Sequence, residues 1–152
     1  MPDSGLAPNL LPAVAGICVP LLLGVSVVDL RERRIPNGAL IAGFAGMTLA
    51  MAVLASAEIP NHLVWSLMLG LPFATLSWIR PAGFGMGDAK LIAFIGFGLG
   101  GLALFAVAVA FVIGATVGLA LLVRRGLRAR KESLAFAPFL ALGVFLSLAT
   151  VA

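Results

Sequence analysis

LIAFIGFGLGGLALFAVAVAFVIGATVGLALLV, residues 91–123, contains no charged side chain. Drawn as one helix it would reach about 50 Å, well beyond the ~30 Å of hydrocarbon in a bilayer. Gly98, Gly100 and Gly101 supply a turn about a third of the way along, so the run divides into two short spans. Arg124, Arg125, Arg128, Arg130 and Lys131 then form a basic loop, and a last span over residues 133–152 carries Pro138.

On the other side of the run, three more apolar stretches precede it. Residues 10–30 form a first span with Pro20 inside, which membrane helices tolerate when neighbours satisfy the freed carbonyl. No Lys or Arg precedes this stretch and it outlasts a signal peptide, so it reads as a retained span. Residues 38–57 form a second, in which Gly43 and Gly46 permit close helix packing. Residues 63–79 form a third, with Pro72 inside and Trp65 and Trp78 near its ends, where interfacial aromatics collect. In the first connection Pro36 disfavours helix at Ile35, and Asn37 is placed to cap the next helix. Glu58-Ile59-Pro60-Asn61-His62 reads as a short turn, its single histidine in a solvated loop or a capping role.

The basic residues test this count of six. With the N-terminus outside the cytoplasm, the first, third and fifth connections face inward. They hold Arg31, Arg33 and Arg34, then Arg80 and Lys90, then the five from Arg124 to Lys131, which is every Lys and Arg in the chain. Asp3 and Glu58 fall outside. A single span over residues 91–123 would put the most basic loop outside, against the positive-inside rule. The expected fold is therefore all-α: one membrane-embedded domain over residues 1–152, of about six transmembrane helices, with both termini outside the cytoplasm.

Composition agrees. The chain is 62% hydrophobic and 11% charged, against about 25% charged in soluble domains. Its net charge of +4 has no soluble basic domain to carry it, so nucleic acid is excluded and the arginines read as topology and head-group contacts. Cys18 is the only cysteine, which excludes an internal disulfide and a cysteine zinc site and leaves it as a small apolar helix residue.

Two acids stand out in so apolar a chain. Asp29 ends the first span, and Asp88 lies in Gly85-Met86-Gly87-Asp88-Ala89-Lys90-Leu91, just before the long run. A charge beside a membrane segment must be paired, hydrated or used. By the topology above both acids reach the cytoplasmic face. Two carboxylates at one depth suit activation of water, one holding a proton to polarise a carbonyl and the other accepting a proton. The plainer reading is that each caps a helix or pairs with a nearby arginine. Glycines 83, 85 and 87 do not make a phosphate loop, because Asp88 stands where that motif needs Lys and a hydroxyl. They suit close approach of a backbone, such as an extended substrate peptide. Two aspartates and Asn37 offer few ligands for a hard cation, so no metal or other cofactor is expected. The runner-up functions are a proton- or ion-coupled transporter and a non-catalytic subunit of a pilus or secretion assembly.

At these motifs the sequence resembles the type IV prepilin peptidases, aspartic proteases of the bacterial inner membrane. Asp29 followed by Arg34-Ile35-Pro36-Asn37 is similar to the family's first-aspartate motif, and residues 85–91 match its Gly-x-Gly-Asp-x-Lys-Leu pattern at every fixed position. Ala135-Phe136-Ala137-Pro138-Phe139 is similar to a late Pro-Phe-Gly-Pro segment but departs from it at two residues. The resemblance implies Asp29 and Asp88 as the catalytic pair, with Pro36, Asn37, Gly85, Gly87 and Lys90 toward the substrate. It implies pilin or pseudopilin precursors as partners, cut after a glycine at the cytoplasmic edge of their apolar helix. The other partners it admits are the lipid bilayer and a homo-oligomer. Longer members add a four-cysteine zinc domain and methylate the new N-terminus. This chain looks like the short form associated with Flp/Tad-type pili, in which methyltransferase activity is not expected.

Overall fold

Gly100 takes φ 57° and ψ −132°, a backbone that residues with a Cβ rarely adopt, and it breaks the 91–123 run where the glycines suggest. The computed structural model describes residues 8–80, 85–125 and 135–151. Among them are six helices and no strand: α1 (Leu11–Glu32), α2 (Asn37–Leu54), α3 (Ile59–Ile79), α4 (Met86–Leu99), α5 (Leu102–Arg125) and α6 (Ala137–Ala149). A 3₁₀ turn, Ser56–Glu58, joins α2 to α3.

The two halves of the run differ more than their composition suggests. At 24 residues α5 is long enough to cross a bilayer, whereas the 14 residues of α4 cover only about 21 Å. Four stretches are long and apolar enough to span: α1, α2, α3 with its 3₁₀ turn, and α5. α6, with 13 residues, is also short. The chain is thus a membrane-type all-helical protein in which four helices are long and apolar enough to cross a bilayer and two are shorter. α4 can be short because protein surrounds it: Ala89, Leu91, Ile92 and every residue from Phe94 to Leu99 are buried. Elsewhere the apolar surface points away from the core. Trp78 is 83% exposed and Val123 79%, as expected where lipid is the solvent.

Contacts along each pair run antiparallel. Asn9 Nδ2 donates to the Leu54 carbonyl, so the start of α1 meets the end of α2. Ser66 Oγ donates to the Ala93 carbonyl, and a Cβ at Gly96 would come within 2.8 Å of the Trp65 carbonyl oxygen, which locks α3 to α4 backbone to backbone. Gly143 lies so close to the Ala106 carbonyl that α5 and α6 meet the same way. A chain of rings, Phe73–Phe111–Phe136–Phe139, with centroids 5.3, 4.9 and 6.3 Å apart, ties α3, α5 and α6. The helices therefore alternate up and down. Arg31, Arg33, Arg34, Arg80, Lys90, Arg124 and Arg125, all the described basic residues, collect at one end, and Glu58 lies at the other. Asp3, Gly83, Arg128, Arg130 and Lys131 lie outside the described residues.

The solvated turn expected at residues 58–62 is not there. Ile59 and Pro60 open α3, because proline fits the first helical turn, and His62 is fully buried within it. Its Nδ1 donates to the Phe97 carbonyl at 2.8 Å. That oxygen belongs to the last turn of α4, which has no further helical amide to take, so the capping half of the expectation holds, on another helix. Cys18 is a buried free thiol in α1.

Candidate active site

Asp29 belongs to the buried stripe Val14, Cys18, Leu22, Val25 of α1, which recurs at helical spacing and turns it inward. It is 6% exposed. Its Oδ2 accepts a hydrogen bond at 3.1 Å from the backbone N–H of Ala137, the first residue of α6. Phe136 precedes that helix and offers no side-chain cap, so one of the unpaired first-turn amides is satisfied from α1 instead.

Asp88 stands in the first turn of α4, outside the four helices long enough to cross a bilayer, and is half-buried. Its side chain folds back onto the helix start, where Gly85 is the N-cap. A Cβ at Gly85 would lie 2.9 Å from Asp88 Oδ2, so the missing side chain makes room for the carboxylate. Burial, and next the charge of Asp29, push the Asp88 pKa upward, while the hydrogen bond from the Gly85 backbone pulls it partly back. Asp29 therefore lies close enough to act on Asp88, though 59 positions separate them (88 − 29).

The remaining expected residues gather at the same end. Lys90 Nζ donates to Asn37 Oδ1 at 3.0 Å, joining α4 to α2. That contact replaces the cap expected of Asn37: Pro36 is the N-cap of α2, with no side-chain hydrogen bond, and the Asn37 side chain is engaged by Lys90. A Cβ at Gly87 would come 3.0 Å from the Ile35 Cβ, so Gly87 admits the Ile35-Pro36-Asn37 segment. Each of Gly85 and Gly87 thus has a reason inside the chain. Ala137 is the site residue that the motifs underplayed. One signal pointed to it: Pro138 marks a helix start with no Ser, Thr, Asp or Asn before it, so a cap had to come from elsewhere. Among the described residues no three His, Cys, Asp or Glu side chains group as metal ligands.

The type IV leader peptidase family model matches residues 16–121, which include Asp29, residues 35–37 and residues 85–91. The prepilin leader peptidase/N-methyltransferase of Bacillus subtilis (strain 168) is 38% identical over 150 residues, covering 94% of this chain and 57% of that protein. The chain thus spans little more than half the length of that relative. No solved structure matches it.

Proposed function

From a chain that belongs to the type IV leader peptidase family, we propose a membrane aspartic endopeptidase that removes the basic leader of pilin or pseudopilin precursors at the cytoplasmic face of the inner membrane. The observation that supports this reading is that Asp29 and Asp88 stand at one end of the bundle, near enough for the charge of Asp29 to act on Asp88. Asp88, the acid pushed upward, holds the shared proton and donates it to the scissile carbonyl oxygen. Asp29 takes a proton from water as the water oxygen attacks the carbonyl carbon. The resulting gem-diol collapses as Asp29 returns its proton to the leaving amine and Asp88 recovers one from a hydroxyl. The C–N bond breaks, and the pair is restored. Pro36, Asn37, Gly85, Gly87 and Lys90, at the same end, hold the extended leader by main-chain and polar contacts.

The Asp29–Ala137 hydrogen bond also supports a second reading, a non-catalytic assembly subunit in which Asp29 only caps α6. Asparagine separates the two, because it keeps an acceptor for Ala137 and loses the base. Asp29→Asn and Asp88→Asn, each inserted normally in reconstituted membranes, are expected to cut a precursor about 10²–10⁴-fold more slowly. Full cleavage by either variant overturns the paired-acid mechanism.

A further inference from the structure

Between α1 and α6 runs an apolar groove that ends at the candidate site. A cavity of about 310 Å³ lies between Val19, Leu22 and Ser26 on one side and Pro138, Ala141 and Phe145 on the other. A second, of about 460 Å³, shares Val19 and Phe145 and continues to Leu11 and Ala149. Together they follow α1 from Ser26 to Leu11, about 22 Å at helical rise. Pro138 adjoins Ala137, whose amide holds Asp29, and Ser26 lies one turn before Asp29 on the same buried stripe. The groove therefore ends about one helical turn from Asp29. Ser26 Oγ is buried and meets no hydrogen-bond partner among the described residues.

We propose that this groove seats the apolar helix that follows the scissile bond of the precursor, with Ser26 Oγ accepting one of the first-turn amides of that helix. The inference rests on the peptidase reading and adds to it the surface that holds the substrate. A lipid chain would fill the apolar length but offers nothing to the Ser26 hydroxyl. An incoming helix brings unpaired N–H groups at its first turn, one residue or more beyond the bond that Asp29 and Asp88 must reach. Ala15 and Ala141, small residues on opposite walls, let its backbone come close.

The test uses the full chain in proteoliposomes with a designed precursor: a basic leader, a glycine and an apolar helix of about 20 residues. In the Asp88→Asn background, a photo-crosslinking residue replacing Leu23 or Leu142, exposed on the two walls, is expected to capture the precursor helix. The same residue in place of Leu67 on α3 or Leu119 on α5, both exposed, is expected to capture lipid alone. In the active enzyme, Ala141→Phe fills the groove and raises KM for this precursor about tenfold, leaving kcat within about twofold, as loss of uniform binding requires. Ser26→Ala raises KM about threefold, the worth of one intramembrane hydrogen bond. Equal capture at all four positions overturns the proposal. So does capture of only lipid or a second copy at 23 and 142, or an unchanged KM in a folded Ala141→Phe protein. Capture confined to 23 and 142 while Asp29→Asn and Asp88→Asn both still cleave would instead remove the paired-acid mechanism and leave the groove as the surface that holds the precursor helix.

Discussion

The two ends of the helix bundle are built differently. At the basic end, side chains tie one element to another, Asp29 to the Ala137 amide and Lys90 to Asn37, while Asp88 folds back onto Gly85 at the start of its own helix. At the opposite end and along the middle, backbones come close, with Gly96 against the Trp65 carbonyl and Gly143 against that of Ala106, and the side chains of His62 and Asn9 bond the carbonyls of Phe97 and Leu54. Polar side-chain ties can be remade when substrate enters, whereas helix-to-helix backbone contact tolerates little change in volume. The difference leaves the basic end adjustable and the rest of the bundle fixed, which suits the function proposed for that end.

Changes at the two ends should therefore separate activity from stability. The largest effect is the loss of cleavage in Asp29→Asn or Asp88→Asn, accompanied by little shift in the detergent unfolding midpoint. Gly143→Leu is the reverse case. Its side chain would enter the Ala106 carbonyl, so a destabilisation of about 1–3 kcal/mol or more is expected from equilibrium unfolding. His62→Ala leaves the Phe97 carbonyl without its donor and should cost about 1 kcal/mol, largely restored by a donor-bearing His62→Gln. At the exposed Arg34–Glu32 pair, 2.7 Å apart, Glu32→Gln should change stability by about 0.5 kcal/mol or less.

The pH dependence sharpens the same contrast. Asp88 keeps its proton to higher pH in the fold than in an unfolded chain. Its contribution to stability is thus present at acid pH and is lost as pH rises through the elevated value. Cleavage that needs the Asp88 proton should fall over that window, above the ordinary carboxylate range, in a pH–rate profile. Asp88→Asn should abolish the corresponding pH dependence of unfolding.

Much of this arrangement could be read from residues alone. Length against bilayer thickness broke the 91–123 run, Gly100 confirmed the place, and the basic residues aligned the ends that bring Asp29 and Asp88 together. Which face of each helix meets protein was not legible. In an amphipathic helix polarity marks the outside, but here lipid-facing Leu119 and core Leu91 are the same residue type. For that reason nothing in the residues marked α4 as the helix enclosed by others and α5 as the long one. The roles of Ala137 and His62 were hidden differently, since a backbone amide and a backbone carbonyl leave no mark in a sequence.

The shortness of α4 has a consequence for the host membrane. Bilayer thickness acts on helices that lipid wets, by tilting them or by stretching the lipid around them. α2 and α5 present broad faces to lipid, while α4 is clasped on nearly every side. A thicker or thinner membrane thus pulls first on those outer helices, and reaches Asp88 only through them.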